Sequence, residues 1–151
     1  MIRKATEKDI PAAMELFTAA KSIMRSDGNS TQWGDGYPDA GIVRTDISMG
    51  GAHISEQDGK PVAYFGLLPS PEPTYSSIAG KWLDDSSPYH VIHRIASIPE
   101  SHGVFRRIIE YALSVSGNLR IDTHRDNRIM RRLIEKAGFS YCGVIVRADG
   151  S

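Results

Sequence analysis

The segment "YHVIHRIAS" carries two histidines three residues apart, His90 and His93. A neutral imidazole at His93 can take a proton from an ammonium nucleophile, directly or through water. The plainer reading of His93 is a ring bonded to backbone or to a carboxylate, and the residues leave both open. Directly after it, "RIASIPESHGVFRRIIEYA" (Arg94 to Ala112) reads as a strand, a short loop and a helix. Free N–H groups at such a helix start hold phosphate well. Yet Gly103 is the loop's one glycine, and Phe105 stands where a second small residue is expected. His102, Arg106 and Arg107 supply positive charge, whereas Glu100 opposes it. An altered anion-binding loop and a plain turn both fit. Asn127 follows a strand and opens a helix, which is a cap position. Cys142, in an apolar stretch, reads as filler rather than nucleophile. "DTHRDN" is too compact for convergent ligands, so no metal is expected.

The elements that must position these residues follow from periodicity. "MIRKA" is a short strand, and "TEKD" resembles a capping box before a helix with Ile10, Ala13, Met14, Phe17, Ala20 and Met24 inward. "GNSTQWGDGYP" is a turn-rich loop whose Trp33 and Tyr37 are expected outside the core. A second helix starts near Pro38-Asp39 and ends before Gly50-Gly51. "AHISEQ-DG-KPVAYFGLL" is a hairpin, because Asp58-Gly59 suits the positive φ angles of a tight turn. The Pro- and Ser-rich stretch from Pro69 to Pro88 reads as an excursion over the surface. "YHVIHRIAS" is a central strand. "GVFRRIIEYALSV" is a helix with Val104, Ile108, Tyr111, Ala112 and Val115 on one side, and "LRIDTH" is the next strand. "DNRIMRRLIEKAGF" is a helix with Ile129, Met130, Leu133 and Ala137 inward, and "FSYCGVIVR" closes as a strand. The order βααββ, then βαβαβ, predicts an α+β fold on a mixed α/β sheet that is partly parallel and covered by helices.

A chain of 151 residues suits a single domain, 1–151. Lys plus Arg equals Asp plus Glu at 18 each, so no overall positive field argues for nucleic acid or an anionic membrane. One cysteine excludes an internal disulfide. With no signal-peptide core and no stretch near the roughly 20 apolar residues of a membrane span, a cytoplasmic protein is expected.

The second half, "VIHRIASIPESHGVFRRIIEYA" through "NLRIDTHRDNRIMRRLIEKAGFSYCGVI", resembles the GNAT N-acetyltransferases, and the element order matches their fold. "WGDGYP", "TYSSIAGKWL" and "HRIAS" extend the likeness to small bacterial members over nearly the whole chain. The most specific part is N-x-x-M-x-x-L-I-E-K-A-G-F, Asn127 to Phe139. The resemblance implies acetyl-CoA (CoA) as cofactor. It implies a bulged central strand splayed from its parallel neighbour, with the pantetheine arm on the backbone of Ile95, Ala96 and Ser97. The pyrophosphate would sit at the following helix start, bringing in His102, Gly103, Val104, Phe105 and Arg106, with Asn127 and Met130 also toward the cofactor. Trp33 and Tyr37 would border the acceptor site. Three residues depart from the family pattern. Glu100 takes the place of a basic residue or Gln, Phe105 replaces the second small residue, and Ile134 stands where many relatives carry a Tyr that protonates the leaving thiolate. Tyr141 is the substitute acid, or else an aromatic of a buried strand.

The implied function is transfer of an acetyl group from acetyl-CoA to an amine of a small molecule or peptide by direct attack, with His93 as base. The alternatives are a catalytically weak acyl-CoA-binding module and a partner-binding module using the Pro69 to Pro88 excursion. Family members continue into one more strand. Here Asp149-Gly150 is a turn pair followed by Ser151, so Tyr141 to Arg147 is expected to leave one edge unpaired. Further residues would restore that strand, or a second copy in a homodimer would cover it.

Overall fold

The structure, a computed structural model, describes residues 1–30, 32–34, 36–76, 78–98 and 103–145. The elements are β1 (Ile2–Lys4), a 3-10 turn at Glu7–Asp9, α1 (Ile10–Ser26), α2 (Ala40–Ser48), β2 (Ala52–Gln57) and β3 (Lys60–Pro69). A 3-10 turn at Pro73–Tyr75 follows, then β4 (Ile78–Gly80), β5 (His90–Ser97), α3 (Val104–Val115), β6 (Leu119–Ile121), α4 (Arg128–Lys136) and β7 (Gly143–Ile145). Five strands form one sheet in the order β1-β2-β3-β5-β6. All its pairs are antiparallel except β5–β6, which is parallel. The mixed α+β architecture is the one the sequence predicts.

Asp58 (φ 54°) and Gly59 (φ 76°) turn β2 into β3, the two positive angles that this dipeptide favours. The sheet then buries both faces. On one, Ala13, Phe17 and Ala20 of α1 and Val43 of α2 pack with Ile54, Tyr64 and Ala96. On the other, Val104, Ile108 and Ala112 of α3 pack with Phe65, Leu67 and Ile92. Alternation along the strands supplies both sets.

Four expectations need correction. Trp33 is 7 % exposed and lies edge-on to Phe17, with ring centroids 5.8 Å apart, so it belongs to the core. Its loop is turn-rich, yet a large apolar ring beside the α1 face gains more from burial than from water. Val115 and Ile129 are exposed, as is Ala137, and α4 buries no residue fully. Periodicity tells which side chains share a face, not how deeply that face is covered.

The Pro69 to Pro88 excursion does more than cross the surface. Its β4 pairs antiparallel with β7, register Ile78↔Ile145 to Gly80↔Gly143. Gly80 (φ 144°) and Gly143 (φ 149°) face each other there, and a side chain on either would collide with the opposite backbone. Among the described residues β7 is therefore partnered by the excursion, not by the five-stranded sheet. The final strand covers Gly143–Ile145, and Tyr141 precedes it. Arg147 and the Asp149-Gly150 pair lie outside the described residues.

Candidate active site

The site is built around an irregularity in β5. Gly66 pairs with His93 and Tyr64 with Ala96, so one residue of β3 stands opposite two of β5, Arg94 and Ile95. This is a β-bulge, and Arg94 adopts φ 54° within it. The bulge resets the alternation of side chains. Ile92 and Ile95 face the α3 cluster although they are three residues apart, and Ala96 faces the α1 cluster. His93 consequently does not share a face with Ile95, which corrects the expectation for regular pairing. Pairing of β5 with β6 runs from His90↔Leu119 to Ile92↔Ile121 and ends there. Past that point a cleft opens. His93, Arg94 and Ile95 line it from β5, and Asp122, Asn127 and Met130 line it from the far side. Trp33 and Tyr37 close it from the loop after α1.

A left-handed angle at a non-glycine residue costs about 1–2 kcal/mol and needs external support. Asp46 of α2 provides it. The Arg94 side chain donates to Asp46 from Nε (3.1 Å) and Nη2 (2.6 Å), and the Tyr64 hydroxyl donates to the same carboxylate at 2.6 Å. Asp46 is buried. Burial opposes the charge on Arg94, but the Asp46 bonds overcome it and hold the guanidinium above its ordinary pKa. Burial and the neighbouring Asp46 keep Tyr64 protonated well above the usual phenol range. The Tyr37 hydroxyl lies 3.5 Å from Arg94 Nη1.

His93 stands at the mouth of the cleft with Nε2 3.5 Å from Glu72 Oε2. Burial, and then the charge of Arg94, lower its pKa, while Asp122, Glu72 and Asp46 oppose the shift. It is therefore neutral near pH 7, the form that accepts a proton. Glu72 was not legible as a site residue. It sits in "PSPEPTY" with no local pattern, and only the folding back of the excursion brings it to His93. Asp122 accepts the Tyr75 hydroxyl at 2.5 Å; burial and Asp122 together raise the phenol's pKa.

Asn127 is the helix cap its position suggests, its Oδ1 accepting the Met130 N–H at 3.0 Å. Its Nδ2 donates to Gln32 Oε1 (2.9 Å), which also accepts from Asn29 Nδ2 (2.9 Å). These amides tie the loop after α1 to the start of α4 across the cleft.

At the start of α3, Gly103 adopts φ 68° and offers no capping side chain, whereas α2 and α4 are capped by Asp39 and Asn127. The first helical bond there is Arg107 N–H to Gly103 O (3.2 Å), so the N–H groups of Val104, Phe105 and Arg106 precede the ladder. Arg107 buries Nε and Nη2 with no hydrogen-bond partner among the described residues. A buried guanidinium without an anion is costly unless a ligand supplies one. The Phe105 ring packs against the α3-side core. Arg106 is exposed and pairs with Glu110 at 3.1 Å. His102 and Glu100 lie outside the described residues.

Ala96 and Ser97 pair with Tyr64 and Ala63 of β3, and among the described residues no strand pairs their β6-facing side. Tyr141 is not brought to the cleft. It is 83 % exposed ahead of β7, because that strand is shorter than its sequence suggests. Cys142 is half-buried rather than core filler.

A crystal structure of a GNAT-family acetyltransferase from Streptococcus agalactiae 2603 superimposes on this chain with a TM-score of 0.88 and 30 % identity, covering 99 % of this chain and 90 % of that one. The chain belongs to the GNAT acetyltransferase family. A GNAT-family acetyltransferase from Listeria monocytogenes 4b F2365 shares the fold at 19 % identity and a TM-score of 0.73, covering 99 % of this chain and 90 % of that chain. A predicted acetyltransferase from Clostridium acetobutylicum, whose structure was determined with acetyl-CoA, shares it at 13 % identity and a TM-score of 0.63, covering 93 % and 90 %. No family model and no curated protein matches the sequence. For this GNAT chain an acetyltransferase-type function follows at the level of the fold. Among the described residues no helix is long and apolar enough to cross a membrane.

Proposed function

We propose that the protein acetylates a primary amine of a small molecule or peptide, using acetyl-CoA in the cytoplasm, with His93 as the base. The observation that carries this reading is the His93 imidazole lining the cleft where β5 and β6 part, and burial that lowers its pKa favours the neutral, proton-accepting form. The cofactor's site is supported separately by the uncapped start of α3 and the unpartnered nitrogens of Arg107, which suit a diphosphate. When bound, acetyl-CoA supplies the acetyl group as a thioester.

The residues of the chain then have distinct tasks. Arg107 and the N–H groups of Val104, Phe105 and Arg106 hold phosphate oxygens. The backbone of Ile95, Ala96 and Ser97 offers hydrogen-bonding groups to the pantetheine arm, much as a strand edge would. Asn127 keeps its cap and positions the α4 start beside that arm, with Met130 as apolar lining. Tyr37 and Trp33, which line the cleft, wall the acceptor side.

His93 removes a proton from the acceptor ammonium, which has no lone pair until it does so. The freed nitrogen forms the C–N bond as the C–S bond breaks. An ammonium that becomes an amide loses two protons, one passing through His93 to water and one reaching the departing sulfur. With Tyr141 away from the cleft, that sulfur takes its proton from water, which a thiol of pKa about 8.5 permits. The position of Tyr141 outside the cleft also favours the second reading, a slow acyl-CoA-binding module.

A thiol-release assay with a panel of amines, run beside a CoA thermal-shift titration, tests both. Turnover with at least one amine and a rise in melting temperature are expected. A shift without turnover favours the binding module, and no shift at millimolar CoA refutes both.

A further inference from the structure

One cation of β6 reaches several residues of the excursion between β3 and β5. Arg120 of β6 is buried, its guanidinium carbon 4.0 Å from the Trp82 ring centroid and 3.8 Å from that of Tyr89. A cation between two aromatic faces is attracted by both. Arg120 Nη2 also donates to the Asp84 carbonyl at 2.8 Å and lies 3.8 Å from Asp85. Trp82 Nε1 donates to the Tyr75 carbonyl at 3.3 Å, and the Tyr75 hydroxyl reaches Asp122. The Tyr89 hydroxyl accepts the N–H of Glu72 at 3.0 Å. A continuous path thus runs from Arg120 through Tyr89 to Glu72 and ends at His93.

The charged groups facing His93 are Arg94 on its own strand, Asp46 from α2, Glu72 from the excursion and Asp122 beyond β6. Asp46 is engaged by Arg94 and Tyr64, and Asp122 by Tyr75. Glu72 is the carboxylate within ion-pair distance of the imidazole among the described residues, with its other oxygen accepting the Thr74 hydroxyl at 2.8 Å.

We propose that Arg120 is a positioning residue: clasped by Trp82 and Tyr89, it pins the 69–88 excursion to β6 so that Glu72 stands against His93 and stabilises the imidazolium formed on proton uptake. A carboxylate behind a catalytic imidazole acts in this way without itself taking the proton. The clasp rests on the reading of His93 as the base, but it can be tested without any turnover.

The experiment is an NMR titration of the histidine rings in the unliganded protein, with His93 assigned from a His93→Gln variant. Glu72→Gln lowers the His93 midpoint by about one pH unit, the size expected when an opposite charge at this distance is removed. Arg120→Leu lowers it in the same direction, and Arg120→Lys recovers part of the loss. Tyr89→Phe keeps the ring on Arg120 and removes the hydroxyl that holds Glu72, so a smaller drop is expected. This variant decides the matter if Arg120→Leu does not fold. The CoA-induced thermal shift stays as in the parent throughout. An unmoved midpoint in Glu72→Gln, or a drop there that neither Tyr89→Phe nor a folded Arg120→Leu reproduces, overturns the clasp. If the midpoints move as expected but the acid limb of the acetylation rate does not follow, the clasp stands and the assignment of His93 as base fails.

Discussion

Arg94 and Arg107 each bury part of a guanidinium, one within β5 and the other in the first turn of α3. Arg94 has two bonds to a buried carboxylate, and its backbone angle is held by them. Arg107 buries Nε and Nη2 beside a helix start with no hydrogen-bond partner among the described residues. The difference separates structure from binding. A cation satisfied within the fold braces the bulge beside the cleft, and a cation with no partner among the described residues is the one proposed to meet an anion.

The largest expected effect comes from breaking the satisfied end. Asp46→Ala leaves Arg94 as a buried unpaired charge and removes the partner of Tyr64, at a cost of about 3–5 kcal/mol. Urea unfolding measures it, and a loss below about 1 kcal/mol would mean that Arg94 finds water readily. The unsatisfied end should behave in the opposite way. Arg107→Gln should leave the stability of the free protein unchanged or raised, and weaken CoA binding by about tenfold or more, as charged hydrogen bonds to phosphate are worth about 1.5–3 kcal/mol. Calorimetry on both arginine variants checks the contrast, which fails if Arg94→Gln and Arg107→Gln lower CoA affinity equally.

Gly103→Ala tests the same helix start more gently. Its left-handed angle costs an L-residue about 1–2 kcal/mol, and the new carbon would meet Arg107 Nη1 at 3.3 Å. Phe105→Gly, by contrast, should lose stability without gaining CoA affinity, because the ring is part of the core.

The smallest effect is on pH dependence. Burial lowers the pKa of both His53 and His93, so the unfolded chain binds more protons below its value of about 6.5. Stability therefore falls as pH drops below ~6.5 toward the folded values. The acid limb of the acetylation rate should likewise lie below ~6.5. Melting curves from pH 7.5 to 5 check the first, and a flatter curve is expected in His53→Gln. Asp9 acts at lower pH. Its bonds to Arg3 lower its pKa to about 2, so its stabilisation is full above ~3.9 and is lost as pH falls from there through about 2.

Local chemistry made much of the fold legible. Asp58-Gly59 suits a tight turn, the α1 periodicity marked its buried face, and Asn127 was readable as a cap because capping involves only the short stretch from Asn127 to Met130. The likeness in "HRIAS" and in Asn127 to Phe139 pointed to the family, and with it to the strand that bears His93. Other features depended on residues far apart in the chain. The φ of Arg94 is upheld by Asp46, 48 residues away, through bonds no local pattern encodes. Trp33 is core because Phe17 lies beside it, and Tyr141 is exposed because β7 begins only at Gly143. Glu72 lies 3.5 Å from His93 in space although 21 residues separate them in the chain, and Tyr89, stacked on Arg120, accepts its N–H. Turns, caps and amphipathic faces are set by neighbours in sequence, so the chain by itself determined them. Depth of burial, charge pairing and proton affinity depend on what distant segments bring alongside, and tertiary packing alone decides those.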